Sequence, residues 1–321
     1  MLQNLFTTIL ALVPALSSLF IKSLEQGLVF GIMALGVYIT FRILRFSDLT
    51  VDGSFPLGAA VAAFLIVSGH SPFFATFIAF IAGTIAGAIT GFLNTKAGIS
   101  DLLSGILTQT SLYSINLRIM GRPNTPLLNQ PTIYSAISDV LSKIWPSFPT
   151  KYTYIIFFVL FALLIKILLD SFLKTQMGFA LRATGDNPQM IRSQGVDTNL
   201  SKILGLTLSN GLIALSGALV AQYQGFADVG MGVGTIVAGL ASVIIGDSLF
   251  GARSVFISTL GVLFGSFLYR FSIALVLSFR LAQASDLKLL TAIVVIIALT
   301  APRFKKSLQL STKGGKSNGN S

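Results

Sequence analysis

The sequence predicts an all-α polytopic membrane protein of about ten transmembrane or partly re-entrant helices, built as an inverted internal repeat. Three observations predict it. Of the 321 residues, 53% are hydrophobic and only 10% charged, too little charged surface to disperse a soluble domain of this length. Apolar runs near the ~20 residues that cross ~30 Å of hydrocarbon recur along the chain. Short polar pieces also return in the same order in both halves. The formal net charge of +11 sits at the ends of apolar runs and in the tail, as in cytoplasmic loops, so it is not read as a nucleic-acid footprint. Cysteine is absent, which removes disulfides, thiolate nucleophiles and cysteine metal ligands. The only histidine, His70, stands in the turn Ser68-Gly-His-Ser-Pro72. A metal site needs several ligands, so none is expected there.

In chain order the candidate spans are 5–21, 24–43, 55–67, 73–93, 102–119, 152–172, 203–223, 235–250, 255–277 and 287–301. The first has no Lys or Arg before it and no small-residue cleavage site after it, so it is read as a membrane or interfacial helix and not as a cleaved signal peptide. Runs 55–67 and 235–250 are short and Gly-containing, as in broken or re-entrant helices that line a cavity. The tail after Pro302 carries Arg303, Lys305, Lys306, Lys313 and Lys316, which puts the C-terminus in the cytoplasm. Counting back places Arg253, the loop 174–202, Lys96, and Arg42 with Arg45 inside, and the loop 121–151 with the single Trp145 outside. Arg280, Arg118 and Arg122 are the outer-side exceptions.

The repeat rests on three matches. Phe46-Ser-Asp48 followed by Gly53-Ser-Phe-Pro-Leu-Gly-Ala-Ala60 resembles Phe226-Ala-Asp228 followed by Val233-Gly-Thr-Ile-Val-Ala-Gly-Leu240; the ladder Ala79, Gly83, Gly87, Gly91 is echoed by Gly261 and Gly265; Ser100-Asp-Leu102 matches Ser285-Asp-Leu287. The halves, about 24–119 and 203–302, enter the membrane in opposite directions, and a solute route at the repeat interface is a known use of that arrangement. The glycines put small residues on one helix face, where backbones can approach closely. Gln109, Tyr113 and Asn116 share a face of an unusually polar span, and Asn210 plays a similar part in 203–223. Such residues either line a solute path or hold helices together by hydrogen bonds. Asp48, Asp52, Asp228, Asp247 and Asp286 stand at span ends, where capping is favoured over binding of a coupling ion. Arg270 is the one cation read within a span; it snorkels or faces the path. The tail piece Lys313-Gly-Gly-Lys-Ser317 lacks the remaining glycine of a phosphate-binding loop and the strand before it. No catalytic set, metal cluster or cofactor loop is found, so an enzyme is not expected. The tail 303–321 reads as basic, low-complexity and disordered.

The loop 174–202 holds the most specific pattern. Gly178-x-Ala180-x-Arg182-Ala183-x-Gly185-x-Asn187, with Gly195-Val196 after it, resembles the cytoplasmic coupling segment of ABC importer permeases of the branched-chain-amino-acid and ribose type. Gly239-Leu-Ala-Ser-Val-Ile-Ile-Gly246 with Gly251, and Asp286-Leu-Lys-Leu-Leu-Thr-Ala-Ile293 with Pro302, agree with it. The family usually has a small residue at Met190 and a second glycine at Asp247. The stretches 46–55 and 108–121 resemble most a subgroup linked with tryptophan or tyrosine uptake. The resemblance implies one permease domain over 1–302 in a bacterial inner membrane, without a cofactor. Its partners would be an ABC ATPase, an extracytoplasmic solute-binding protein and a second permease, the same chain or a paralogue. Residues 180–195 would form a short helix seated on the ATPase, with Phe179, Leu181 and Met190 as apolar contacts, Arg182 as charged anchor, and Ala183 and Gly185 allowing close approach. A rival reading, an ion-coupled secondary transporter, needs an ionisable residue at mid-membrane, and only Arg270 approaches that. A membrane scaffold or sensor would leave the repeat and the polar span unexplained.

Overall fold

Helices dominate because a chain in hydrocarbon has to satisfy its backbone N–H and C=O groups internally. The computed structural model describes residues 2–144, 150–251 and 254–278, with five helical positions between 289 and 300; side chains are described for these except 2–16, 140, 144 and 150–153. Trp145, Arg253, Arg280, Asp286, Pro302 and the tail 303–321 lie outside the described residues, as does most of the run 287–301. Helix α1 (Leu2–Val37) continues through a π-helical turn, Tyr38–Ile43. The two spans expected at 5–21 and 24–43 are therefore one uninterrupted helix. The intervening Lys22 and Ser23 are neither Gly nor Pro, so nothing there breaks the backbone. Then follow α2 (Val51–Val67), α3 (Pro72–Thr95), α4 (Asp101–Met120), α5 (Ile133–Ile144) and α6 (Thr150–Leu173). The short α7 (Gln176–Asp186) and α8 (Pro188–Ser193) lead to α9 (Thr198–Gln224), α10 (Thr235–Phe250) and α11 (Val255–Ser278). Among the described residues six helices are long and apolar enough to cross a membrane: Ser17–Ile43, Pro72–Thr95, Tyr154–Leu173, Thr198–Gln224, Val229–Phe250 and Val255–Ser278.

Among the described residues a single pair of short strands stands beside the helices. Strand β1 (Asn124–Pro126) pairs antiparallel with β2 (Phe226–Asp228), Thr125 opposite Ala227. It clips the loop after α4 to the loop after α9 at one end of the bundle.

Helix α9 is the central post. It packs on α3, α2 and α1, and every residue from Ser209 to Gln222 is buried. Hydrocarbon provides no hydrophobic force between helices, so backbone proximity and hydrogen bonds hold them. A Cβ added at Gly83 or Gly87 would overlap the Asn210 or Leu206 carbonyl of α9, and one at Gly91 would come 2.9 Å from Ile203 Cα. Gly261 and Gly265 instead face α10, against Gly246 and the Ser242 carbonyl. Hydroxyls complete the bundle: Ser209 Oγ donates to the Gly36 carbonyl and Ser216 Oγ to the Val29 carbonyl, each at 2.7 Å. Next to the strand pair, Tyr134 of α5 donates to the Leu219 carbonyl at 2.7 Å. Burial pushes its pKa well above the ordinary tyrosine value, so it stays a donor.

Candidate functional site

Two short helices begin inside the bundle. The chain leaves α1 through an extended segment in which Asp48 Oδ1 accepts from Thr50 N at 2.9 Å, and α2 starts there. The second carboxylate oxygen of Asp48 accepts from Asn210 Nδ2 at 2.8 Å, which places this turn beside the middle of α9. Asn210 Oδ1 in turn accepts from Ser54 Oγ at 2.7 Å. Thr50 Oγ1 lies 2.8 Å from Thr90 Oγ1, which donates to Thr108 Oγ1 at 3.0 Å. The start of α2 is thus tied to α9, α3 and α4. Asn210 is wholly buried and committed to these bonds, so it is not part of an open path. Of the two roles left open for it, solute path or helix tie, its bonds favour the tie, because both amide donors are used by Asp48 and the Leu206 carbonyl.

The second short helix, α10, starts at the same depth. Asp228 Oδ1 accepts from Gly230 N at 2.7 Å, the same turn as at Asp48, and a 3₁₀ turn (Val229–Gly232) follows. Gly234 (φ +84°) takes the left-handed conformation that lets the chain swing into α10. The cap is supplied from outside: Asp52 of α2 accepts from Gly234 N (3.0 Å), Thr235 Oγ1 (3.0 Å) and Ile236 N (2.8 Å). A carboxylate satisfies the orphan N–H groups of a helix start and meets its positive dipole end. Sequence reading placed Asp52 correctly as a capping type; only the fold shows that it caps α10 and not its own helix.

Beside this junction is a cavity of about 190 Å³, lined by Asp52, Gly53, Pro56, Gln109, Thr110, Tyr113, Asn116, Val229 and Val233. Three of the four expected path residues therefore meet in one place, and Asn210 stands apart. Tyr113 is 58% exposed, whereas Asn116 is fully buried. Asn116 Nδ2 donates to the Gly53 carbonyl at 3.2 Å, and its Oδ1 has no partner.

The loop 174–202 folds as two helices, not the single one expected over 180–195. Pro188 cannot donate to a continuing helix, and Asn187 caps the new start by accepting from Met190 N at 3.1 Å. Gly195 (φ +84°) then turns the chain toward Asp197, which caps α9. Gly178, Leu181 and Thr184 are buried and share the inward face of α7. Leu181 is only 1% exposed, which corrects its expected role as a partner contact; three-residue spacing from Gly178 turns it into the bundle, beside Gly205. A Cβ at Gly185 would overlap the Ile43 carbonyl at the π-helical end of α1, so this glycine serves approach to the chain's own helix. Ala180 and Ala183 are half-buried. Pointing outward are Met177 (56% exposed), Phe179 (57%) and Met190 (53%), and the Arg182 guanidinium lies over the Phe179 ring at 4.6 Å.

Two ion pairs flank the π-helical end of α1, one reaching α7 and the other α10. Arg45 meets Asp186 of α7 at 2.8 Å, and Arg42 meets Asp247 of α10 at 3.0 Å. Asp247, where the resembled pattern carries glycine, thus has a specific partner. Sequence reading also missed a pair within α6: Lys166 and Asp170, both buried, bond each other, and Asp170 accepts from Thr259 of α11 at 2.7 Å. Arg270 is accordingly not alone inside the bundle; its guanidinium lies 3.4 Å from the centre of the Phe30 ring. The i, i+4 spacing of opposite charges in an apolar run was the available signal for the α6 pair.

Residues 19–299 match the family described as branched-chain amino acid transport system / permease component. The chain belongs to this family. It is an ABC-transporter permease and a multi-pass inner-membrane protein. This permease is 46% identical over 289 residues, 90% of this chain and 93% of the relative, to a tyrosine transport system permease protein of Clostridioides difficile. It is 38% identical over 292 residues, 88% of this chain and 98% of the relative, to an uncharacterized protein of Rickettsia prowazekii. A solved structure, PsaBC from Streptococcus pneumoniae in complex with Fab, aligns over 86% of the permease and 89% of that chain at 16% identity, TM-score 0.48.

Proposed function

We propose that this permease is the pore-forming subunit of an importer that carries an amino acid into the cytoplasm, an aromatic one in view of its tyrosine-permease relative. The observation that carries the coupling part is the α7–α8 face. Met177, Phe179 and Met190 are exposed apolar side chains in a basic loop, a surface that water does not favour and a protein partner would cover. That partner is an ABC ATPase on the cytoplasmic side, the side assigned by the basic residues of the loops. A solute-binding protein would deliver the solute from outside, and a second permease copy or a paralogue would complete the path. Permease and partners form one unit in which residues 1–302 are a single domain.

The reciprocal packing supports an inverted repeat: α9 lies on α2 and α3, while α1 lies on α10 and α11. The matching Asx turns at Asp48 and Asp228 support it too. In this reading the cavity of Gln109, Tyr113 and Asn116 belongs to the solute path at the repeat interface. Motor closure would push α7. Through Gly185 on Ile43 and the Arg45–Asp186 pair it would move the π-helical end of α1, and through Arg42–Asp247 the end of α10, shifting the bundle between two packed states. The test is uptake in cells or proteoliposomes carrying the ATPase and binding protein. Arg182→Glu should abolish uptake while the variant still reaches the membrane; full uptake would refute the docking assignment. Uptake that ran without ATP on a proton or sodium gradient would refute the importer reading.

A further inference from the structure

The cavity beside the α2–α10 junction has an electrostatic character that selects one kind of chemical group. Asn116 is fully buried, its Nδ2 is used by the Gly53 carbonyl, and its Oδ1 has no donor. A buried acceptor without a donor is costly, and a site that keeps one is ready for a ligand's N–H. Asp52 adds a carboxylate with roughly four acceptor positions, of which the α10 cap uses three. No Lys or Arg stands among the described residues lining the cavity, so only the α10 cap, and no side-chain cation, answers the carboxylate there. At about 190 Å³ the space holds several waters' worth of solute, and the exposed Tyr113 ring stands at its rim. We propose that this cavity is a binding subsite for the primary ammonium group of the transported solute, received between Asn116 Oδ1 and the Asp52 carboxylate. The proposal rests on the path reading above. Because Asp52 also holds the start of α10, an arriving ammonium would bear on the same carboxylate that joins the two half-helices.

The cysteine-free chain allows a direct test. Thr110→Cys places one thiol on the cavity wall, and methyl methanethiosulfonate, small and neutral, reacts with it only where water supports a thiolate. Labelling of the full chain in nanodiscs is followed by mass spectrometry with tyramine, with 3-(4-hydroxyphenyl)propionate, which lacks the amine, or with sodium chloride. Saturating tyramine should slow labelling, and the acid should not. Asn116→Leu in the same background should weaken the tyramine effect roughly tenfold or more, the loss expected for a hydrogen bond to a charged group. Asn116→Asp, which adds a carboxylate oxygen, should strengthen it. Labelling without amine-selective protection, protection by sodium alone, or protection unchanged in both variants would overturn the subsite and leave the water path standing. No labelling at all would overturn the path reading and the subsite with it.

Discussion

The two helices that meet at Asp52, α2 and α10, are held in opposite ways. In α2, 13 of 17 residues are buried, and its start is bonded to α9, α3 and α4. In α10 only 7 of 16 are buried, and its polar ties to the first half are at its two ends, Asp52 at the start and Arg42 near the finish. A helix locked along its whole length is a poor moving part. One packed chiefly on α11, with its polar ties to α1 and α2 at its ends, can tilt together with α11 when either end is displaced. From this contrast α2 is expected to act as scaffold and α10 as the moving part, which the variants below test.

The largest effect should come from unlocking α2. Asn210→Leu removes the amide that donates to the buried Asp48 carboxyl and accepts from Ser54, and leaving buried polar groups without a partner costs about 1–3 kcal/mol each. Thermal unfolding in detergent should show a large drop; an unchanged midpoint would erase the distinction between the helices. Asp52→Ala removes the α10 cap, worth about 1–2 kcal/mol. Hydrogen exchange should rise at the first turn of α10 and stay low in α2, and equal rises in both would contradict the comparison. Arg42→Ala should be nearly silent in stability, at most ~1 kcal/mol, since the pair with Asp247 is partly exposed. It should nonetheless reduce uptake, and the swap Arg42→Asp with Asp247→Arg should restore it. Retained uptake in Arg42→Ala would remove this pair from the transmission route.

Much of the site was legible in advance because helix periodicity alone groups residues. Gln109, Tyr113 and Asn116 share a face at any tertiary placement of α4, and they do line one cavity. The glycines at 83, 87 and 91 likewise had to form one stripe. Periodicity did not say which stripe faces inward, and that is where Leu181 and Gly185 were misassigned. Both lie in the loop that carries the recognisable pattern, yet Leu181 faces α9 and Gly185 the π-helical end of α1. Asn210 was similarly read by residue type, and an amide in a membrane helix serves a path or a tie equally well until its partners are known.

By itself the sequence determined the membrane class, the family-bearing loop and the polar face of α4, because hydrophobicity, spacing and residue type are local properties. Only the tertiary structure decided that Asp52 caps α10, that Asp247 answers Arg42, that Lys166 and Asp170 are both buried beside Thr259, and that β1 pairs with β2. Three of these four join residues from about 100 to more than 200 positions apart, and the Lys166–Asp170 pair needs Thr259 of α11, 89 positions on, for its third member. Such contacts are set by how helices stack around α9, and no local pattern in the chain encodes that stacking.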